Sequence, residues 1–577
     1  MKRKIIAISM ASMLACGLAT GCGGIEYEPE EDATKSYLYV DSFSGGFGSE
    51  FFNVVARAFE KEYENKSYVE GKTGVRIEVG ESTTNNSAQF KNGVANASSD
   101  VHVVEGLYYT DYLKDQTILD LTEIVTATLS DGDTIENKLN TEQKRVLNYG
   151  GKYYTIPTFA GFSGLTYNAD LFAKKNLYFA DSTESPEDTV SSYTGKAYTG
   201  RPLVRNANVK KSPGPDGKYN TADDGLPSSY EEFFYLYDTM LDKSPSITPM
   251  ILYGGHYSNY IFQELLCAAT TANGMNAMFS FDSNGEAVDV IDSINNDGTY
   301  TTKKVVITES NGYEATQQVS KYMATKFIKH LSTNTVGGKS YIDDRSRGES
   351  LSNINAQKLF MESSLDPSLT PIATLVEGVY WYNEAAGTRE GIMQTYPEAE
   401  NMNLKYMPLP AKEYGTVTEN NGTTQLVADA FLYYLVVNAK VANNPEKLNL
   451  AKDFIKFMYS NEMLQEMTLA TGIPFALKYD LTAEQFNSMD TLSQSFWSVY
   501  KGAKDKDAYI TGLSLSPIFM SDTKFSFKTT TNAFKSMVNG AETEDALAYF
   551  YGNKNCSAKD FFEGMYIDED GWKKYIN

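Results

Sequence analysis

Histidine, tryptophan and cysteine are scarce in this sequence: its 577 residues hold 3 His, 3 Trp and 4 Cys. His102, His256 and His330 lie far apart, so no histidine-based metal site can be read. Cys16 and Cys22 fall in an amino-terminal leader, which leaves Cys267 and Cys556. Two thiols cannot define a disulfide scaffold, although they could pair in an oxidising compartment. Cys267 lies in the apolar run ELLCAA and reads as a buried thiol. Past the leader there is no apolar run long enough to cross a membrane as a helix. Basic residues are outnumbered, 51 Lys and Arg against 74 Asp and Glu, for a formal net charge of −23. That balance argues against nucleic acid and against strongly anionic ligands. Catalytic signatures are missing too. There is no Gly-x-Ser-x-Gly elbow in context and no His-Glu-x-x-His, and the loop SGGFG at residues 44–48 lacks the Gly-Lys-Ser/Thr ending of a phosphate loop.

What is present begins with the leader, MKRKIIAISMASMLACGLATGCGG. Lys2, Arg3 and Lys4 form a basic start, and residues 5–18 form an apolar stretch too short to span a bilayer, so the segment reads as an export signal. Residues 18–22, LATGC, resemble a bacterial lipobox, which implies lipidation of Cys22 as the first mature residue. An ordinary signal peptide with an incidental cysteine is the bland alternative. It is disfavoured because Cys22 sits where the small-residue cleavage site belongs. Cys16 is a poorer candidate. An acylated Cys22 would tether the protein to a membrane without spanning it. Residues 23–35, GGIEYEPEEDATK, read as a flexible acidic spacer. Without residues 1–21, 556 residues remain, with 48 basic against 74 acidic side chains, or −26. That length suits two lobes, each with a full core.

Tyrosine is abundant, 41 beside 30 Phe, and it offers a flat apolar face with a hydroxyl handle. KSYLYVDSF at 35–43 alternates as a strand, and FFNVVARAFEKEY after the glycine loop has helical spacing. GVRIEV at 74–79 is a second strand, residues 88–96 are helical, and DVHVV at 100–104 is a third strand. This βαβαβ order predicts a doubly wound α/β sheet that binds ligand at the carboxyl ends of its strands. VEGVYWYNEA at 376–385 reads as extended chain, with Tyr380 and Tyr382 on one face and Trp381 on the other. It is either a buried strand or an aromatic wall on which a ligand stacks.

GKYYTIPTFAGFSGLTYNADLF at 151–172, SSDVHVVEGLYYTDYLKDQTILDLTEI, MNLKYMPLPAK and FLYYLVVNAKVANNPEKLNLAKDFIKFMYSNEMLQEMTLATGIPFAL occur in a recognisable order. That order resembles an extracellular solute-binding protein of the carbohydrate ABC-importer class, family 1, related to the maltose-binding protein. The resemblance covers most of residues 36–577. It implies an α/β, periplasmic-binding-protein-like two-lobe fold, each lobe a doubly wound sheet flanked by helices, with the ligand cleft between lobes. It places residues 36–158 and 438–513 in the first lobe and 162–432 and 520–577 in the second. Extra polar length near 182–225, 282–308 and 337–351 reads as insertions on the second lobe.

The resemblance further implies capture of a carbohydrate, an oligosaccharide if the many tyrosines mark several subsites, for the membrane subunits of an ABC importer. It implies no catalysis, no required cofactor and a monomer; the charge balance adds no nucleic acid, and the lipid anchor suggests the outer face of a Gram-positive membrane. The ligand positions that it implies are Phe47, Ser49 and Glu50 in the first loop, Thr84 and Asn85 after the second strand, and Glu105, Tyr108 and Tyr109 after the third. Phe159, Gly161 and Phe162 belong to the first crossing and His256, Tyr257 and Asn259 to the loop before FQELL. Tyr380, Trp381 and Tyr382 form the wall, and Gly472 lends backbone. The faces differ, so one ring of the wall belongs to the core, and Trp381 is that member if the register holds. Glu50 and Glu105 also admit a glycan-degrading enzyme with paired carboxylates, and the fold admits a peptide binder. The stretch SPGPDGKYNTADDGLP at 212–227 crowds Asp216, Asn220, Asp223 and Asp224 between glycines. It is either a solvated acidic turn or a structural calcium loop; hard oxygens beside tight turns favour calcium, although the EF-hand spacing is absent.

Overall fold

A computed structural model describes residues 31–43, 46, 48–82, 94, 98–105, 109–182, 184–254, 257–347, 351–416, 427–428, 433–504, 509–510, 536–543 and 545–576. The leader, Cys22 and most of the spacer lie outside them. No helix among the described residues is long and apolar enough to cross a membrane.

The first lobe grows from β1, Ser36–Phe43, which buries Leu38 and Val40 while Tyr37 and Tyr39 stay half-buried. This period of two is the alternation of a pleated strand. β2 (Val75–Ser82) and β3 (Val101–Glu105) flank it in parallel, with Leu38 opposite Ile77 and Val40 opposite Val101. The helix Glu50–Glu62 buries Phe51, Phe52, Val55, Ala56 and Phe59, one stripe at helical spacing. Phe59 meets Phe454 of the helix Pro445–Met458 edge-on at 5.3 Å. The sheet is completed by β4 (Ile156–Pro157) and β9 (Tyr433–Val437), in the order β2-β1-β3-β9-β4.

The second lobe holds β5 (Ser163–Asn168), β6 (Thr248–Ile251), β7 (Ile372–Gly378) and β8 (Leu404–Met407), in the order β8-β5-β7-β6. Every residue of β7 is buried. It runs parallel to β6 and antiparallel to β5. β9 likewise runs antiparallel to β3 and β4. Both sheets are therefore mixed, because β5 and β9 adjoin the crossings and run against the parallel strands beside them.

Two lobe boundaries differ from expectation. Residues 433–437, expected as crossing, are a strand of the first-lobe sheet. The return to the second lobe comes before residue 513: the helix Thr491–Lys504 already packs on β8, where the Tyr406 amide donates to Ser495 Oγ at 2.8 Å and Phe496 meets Tyr406 and Phe162. An amphipathic pattern fixes which face of this helix is buried, not which lobe covers it.

The insertions are built into the second lobe. Strands Ala287–Ile294 and Tyr300–Val306 form a hairpin. Its underside packs with Phe281 and Ala315 around Trp572, which is fully buried and donates to the Glu309 carbonyl at 2.8 Å. Trp572→Ala should lower stability by about 3–5 kcal/mol, the range for emptying a buried aromatic site, read as a fall in the denaturant midpoint. A change under about 1 kcal/mol, within the range of ordinary surface substitutions, would show that this corner does not depend on the ring.

Candidate functional site

The two lobes are joined by crossings that lie side by side. The Ala160 amide donates to the Pro474 carbonyl at 2.8 Å, and the Ala476 amide to the Thr158 carbonyl at 2.7 Å. Phe159 and Phe475 pack at 4.4 Å, and Phe51 closes on Phe159 at 4.7 Å. Phe159 and Phe162 are 1% and 0% exposed, and Gly161 is buried beside them. The expected ligand role of these two rings is therefore corrected: Phe159 fills the joint between the lobes, and Phe162 packs against Tyr406 and Phe496.

β7 ends at Gly378, and the chain then turns into the short helix Trp381–Glu384. The expected extended run through Tyr382 is thus a strand followed by a helical turn, in which the Ala385 amide bonds the Trp381 carbonyl at 2.8 Å. Trp381 is the core member, fully buried, with its indole donating to Thr166 Oγ1 at 3.0 Å. Tyr380 is 7% exposed and shares a hydroxyl bond of 3.0 Å with Tyr260. Tyr260 stacks on Tyr257 at 4.5 Å, and Tyr253 meets Tyr257 edge-on at 5.3 Å. Burial and its tyrosine and Glu377 neighbours hold the Tyr380 hydroxyl well above its usual range. Tyr257 opens the helix Ser258–Ala268, and Asn259, half-buried, lies in its first turn.

Carboxyl groups and amides stand beside these rings. Gln357 donates to Glu377 at 2.8 Å and to Glu384 at 3.1 Å, and Asn353 reaches Glu384 at 3.3 Å. Burial pushes the Glu377 carboxyl well above the carboxylate range, which favours the neutral acid. Tyr382 is half-buried under Arg389, whose guanidinium lies 3.7 Å from the ring centre. A hollow of about 260 Å³ opens next to Tyr382 and Arg389, bounded by Thr471, Gly472 and Ser493.

The first lobe meets this wall at Gly46. Gly46 has φ +72°, and a Cβ there would come within 2.8 Å of the Tyr380 side chain, so only glycine lets the loop lie on the ring. Ser49 precedes the helix Glu50–Glu62 and its hydroxyl bonds the Glu81 carboxylate. Glu50 is exposed in the first helical turn. Glu105 ends β3, and Tyr109 begins the helix Tyr109–Lys114. Phe47, Thr84, Asn85, Tyr108 and His256 lie outside the described residues. Across the lobes, Asn383 Nδ2 donates to the Thr471 carbonyl at 2.8 Å, next to Gly472, which caps the helix Asn461–Thr471 at φ +72°. The structure thus brings Tyr257 to Tyr380 through Tyr260, and Tyr382 to Gly472 around the hollow, while Ser49 is bonded to Glu81. Sequence reasoning missed Tyr260, Gln357 and the Asn383 bridge. The i, i+3 spacing of Tyr257 and Tyr260 was the available signal for the first.

The acidic loop is self-satisfied. Asp223, 6% exposed, accepts the Asp216 amide at 3.0 Å and the Thr221 hydroxyl at 2.6 Å, and Asp224 accepts the Asn220 amide at 2.9 Å. Among the described residues no group of three or more His, Cys, Asp or Glu is arranged to hold a metal ion. Cys267 and Cys556 are both buried free thiols.

No protein-family model matches the chain, and no curated protein does. Solved structures are similar to it. The binding protein RafE in complex with raffinose has a TM-score of 0.52 at 13% identity, over 94% of this chain and all of that one. The GacH receptor of Streptomyces glaucescens GLA.O, solved unliganded and with acarbose, has a TM-score of 0.50 at 14% identity, over 94% of this chain and 98% of that one. A chitin oligosaccharide binding protein has a TM-score of 0.50 at 15% identity, over 94% and 99%. The chain has the two-lobe α/β fold of the maltose-binding-protein-like solute-binding proteins.

Burial and the neighbouring Asp216 push the Asp223 carboxyl up to about 7. A carboxyl raised in the folded state contributes its full stability near pH 4, and this is lost as pH rises towards 7. Asp223→Asn should therefore shift the melting temperature more favourably at pH 8 than at pH 4.5. Equal shifts at both would assign the effect to packing alone.

Proposed function

We propose that this chain captures an oligosaccharide in the cleft between its lobes and delivers it to the membrane subunits of an ABC importer. The observation that carries this is the wall at the carboxyl end of β7. There Tyr380, Tyr260 and Tyr257 stand beside Glu377, Gln357 and Glu384, and the wall faces the Gly46 loop of the other lobe. A sugar presents apolar C–H faces and hydroxyl rims, and rings beside carboxyl and amide groups match both. Solved relatives of the fold bind raffinose, acarbose and chitin oligosaccharide, which supports the same ligand class here. In this reading the lobes close around the joint at Phe159 and Phe475, the protein acts as a monomer, and it binds without breaking its ligand.

The leader supports export and lipidation at Cys22, which would hold the protein on the outer face of the membrane. Cys22→Ala should release it into the medium of the expressing bacterium; retention in the membrane fraction would overturn the anchor. Calcium remains a proposal for the Asp216–Asp224 turn. It predicts that calcium raises the melting temperature of the native chain but not of Asp223→Asn.

Calorimetric titration against an oligosaccharide panel, with each mixture checked for breakdown, tests the main reading. Saturable binding without cleavage is expected, weakened at least about tenfold by Tyr380→Ala, the loss of roughly 1.4 kcal/mol or more of contact. Trp381→Ala should instead lower stability. No binding across a broad panel would overturn the sugar assignment, and cleavage would replace the receptor with an enzyme.

A further inference from the structure

A second basin, of about 740 Å³, lies at the other end of the second-lobe sheet, beside Thr248 at the start of β6 and Thr370 just before β7. The helices Tyr230–Asp242, Val319–Thr333 and Asn353–Glu362 all end there, through Leu241, Thr333 and the cap residue Ser363. The helix-end carbonyls there are largely answered within the chain: Leu241 accepts Lys339 Nζ at 3.5 Å, and Leu359 and Phe360 accept the amide and hydroxyl of Ser363. Serine and threonine hydroxyls line much of the rest.

The rim has the opposite character. Lys339, Arg345, Arg347 and Lys554 face the basin with only Asp343 and Asp344, a local balance of +2 on a chain of −23. Arg345 is occupied by a two-pronged bond to Asp343, 2.8 Å on each arm. Lys339 and Lys554 are exposed and have no carboxylate partner among the described residues. Arg347 bonds Asp344 at 3.2 Å, but that carboxylate is 86% exposed, and such pairs are weak. Arg347 also stacks 4.2 Å from the centre of the Tyr551 ring and bonds its hydroxyl, which fixes a 36% exposed aromatic plate at the rim.

The geometry points to a second binding site, on this face, for an anionic oligosaccharide bearing uronate carboxylates. A bare anion would answer the cations and leave the serine and threonine hydroxyls and the Tyr551 ring without a ligand contact. A neutral sugar would do the reverse. A sugar acid supplies hydroxyl donors, carboxylates and a C–H face for Tyr551 together. The net charge of the chain repels anions at long range, so recognition here is local and salt-sensitive. The site is separate from the cleft and stands whether or not the cleft takes sugar.

Calorimetry of the full chain in mild detergent with tri-galacturonic acid tests it. Saturable binding is expected at low salt, unchanged in Tyr380→Ala and weakened about tenfold or more, or roughly 1.4 kcal/mol, by Tyr551→Ala and by the pair Arg347→Gln and Lys554→Gln. Lys554→Gln alone alters only an exposed side chain and should still weaken binding measurably, which keeps the test valid if another variant misfolds. Absence of saturable binding, affinity unchanged in every rim variant, or displacement by an equal concentration of inorganic phosphate or maltotriose would overturn the assignment.

Discussion

The pairing of the two crossings is the constraint on which the rest of the molecule depends. Two backbone bonds, Ala160 to Pro474 and Ala476 to Thr158, set the register between chain segments more than 300 residues apart in sequence. Buried amides must be bonded, and the rings of Phe51, Phe159 and Phe475 keep water from competing for these. Sliding one crossing past the other would break both bonds and unpack all three rings. Small rotations about the few backbone angles between the strands would not. The joint therefore resists translation of one crossing along the other.

The wall is fixed to this joint directly. The Val379 amide bonds the Phe162 carbonyl at 3.0 Å, so Tyr380 stands one residue from the first crossing. On the second crossing Gly472 and Ile473 follow Thr471, whose carbonyl receives Asn383 from the opposite lobe. The Asn383 bridge and the approach of Gly46 to Tyr380 thus both sit beside the joint. The wall and the joint are packed as one unit.

Much of this was legible in the sequence where local chemistry decides the outcome. The alternation at 36–43, the stripe at 51–59 and the order of strands and helices follow from periodicity, and the family register singled out Trp381 as the core ring of the wall. The failures share a cause. VEGVYWYNEA has a strand-like composition, yet its last residues turn because the sheet ends at Gly378 and the Gly46 loop lies on Tyr380. Phe159 and Phe162 look like ligand rings in a crossing, but Phe475 of the partner crossing packs on Phe159, and Tyr406 and Phe496 pack on Phe162. The lobe that receives residues 491–504 is decided by β8, which no local pattern names. Long-range partners settle each of these, and one strand of sequence does not display them.

The insertions obey the same logic on a larger scale. Glu413 is buried, and it accepts Lys326 at 2.5 Å, Tyr193 at 2.7 Å and Tyr300 at 2.9 Å. Tyr193 comes from the first insertion, Tyr300 from the hairpin and Lys326 from the helix Val319–Thr333. A buried carboxylate is tolerable only when charge and hydrogen bonds both answer it, so the three partners are not interchangeable decorations. Removing one leaves a charge under-satisfied in a desolvated place, and neither the hairpin nor the first insertion can shift without doing so. The insertions are therefore held to the second lobe as parts of its body. Ile291, Tyr300 and Tyr193 pack against the same core as the strands of that lobe, so the added sequence extends it without forming a separate body.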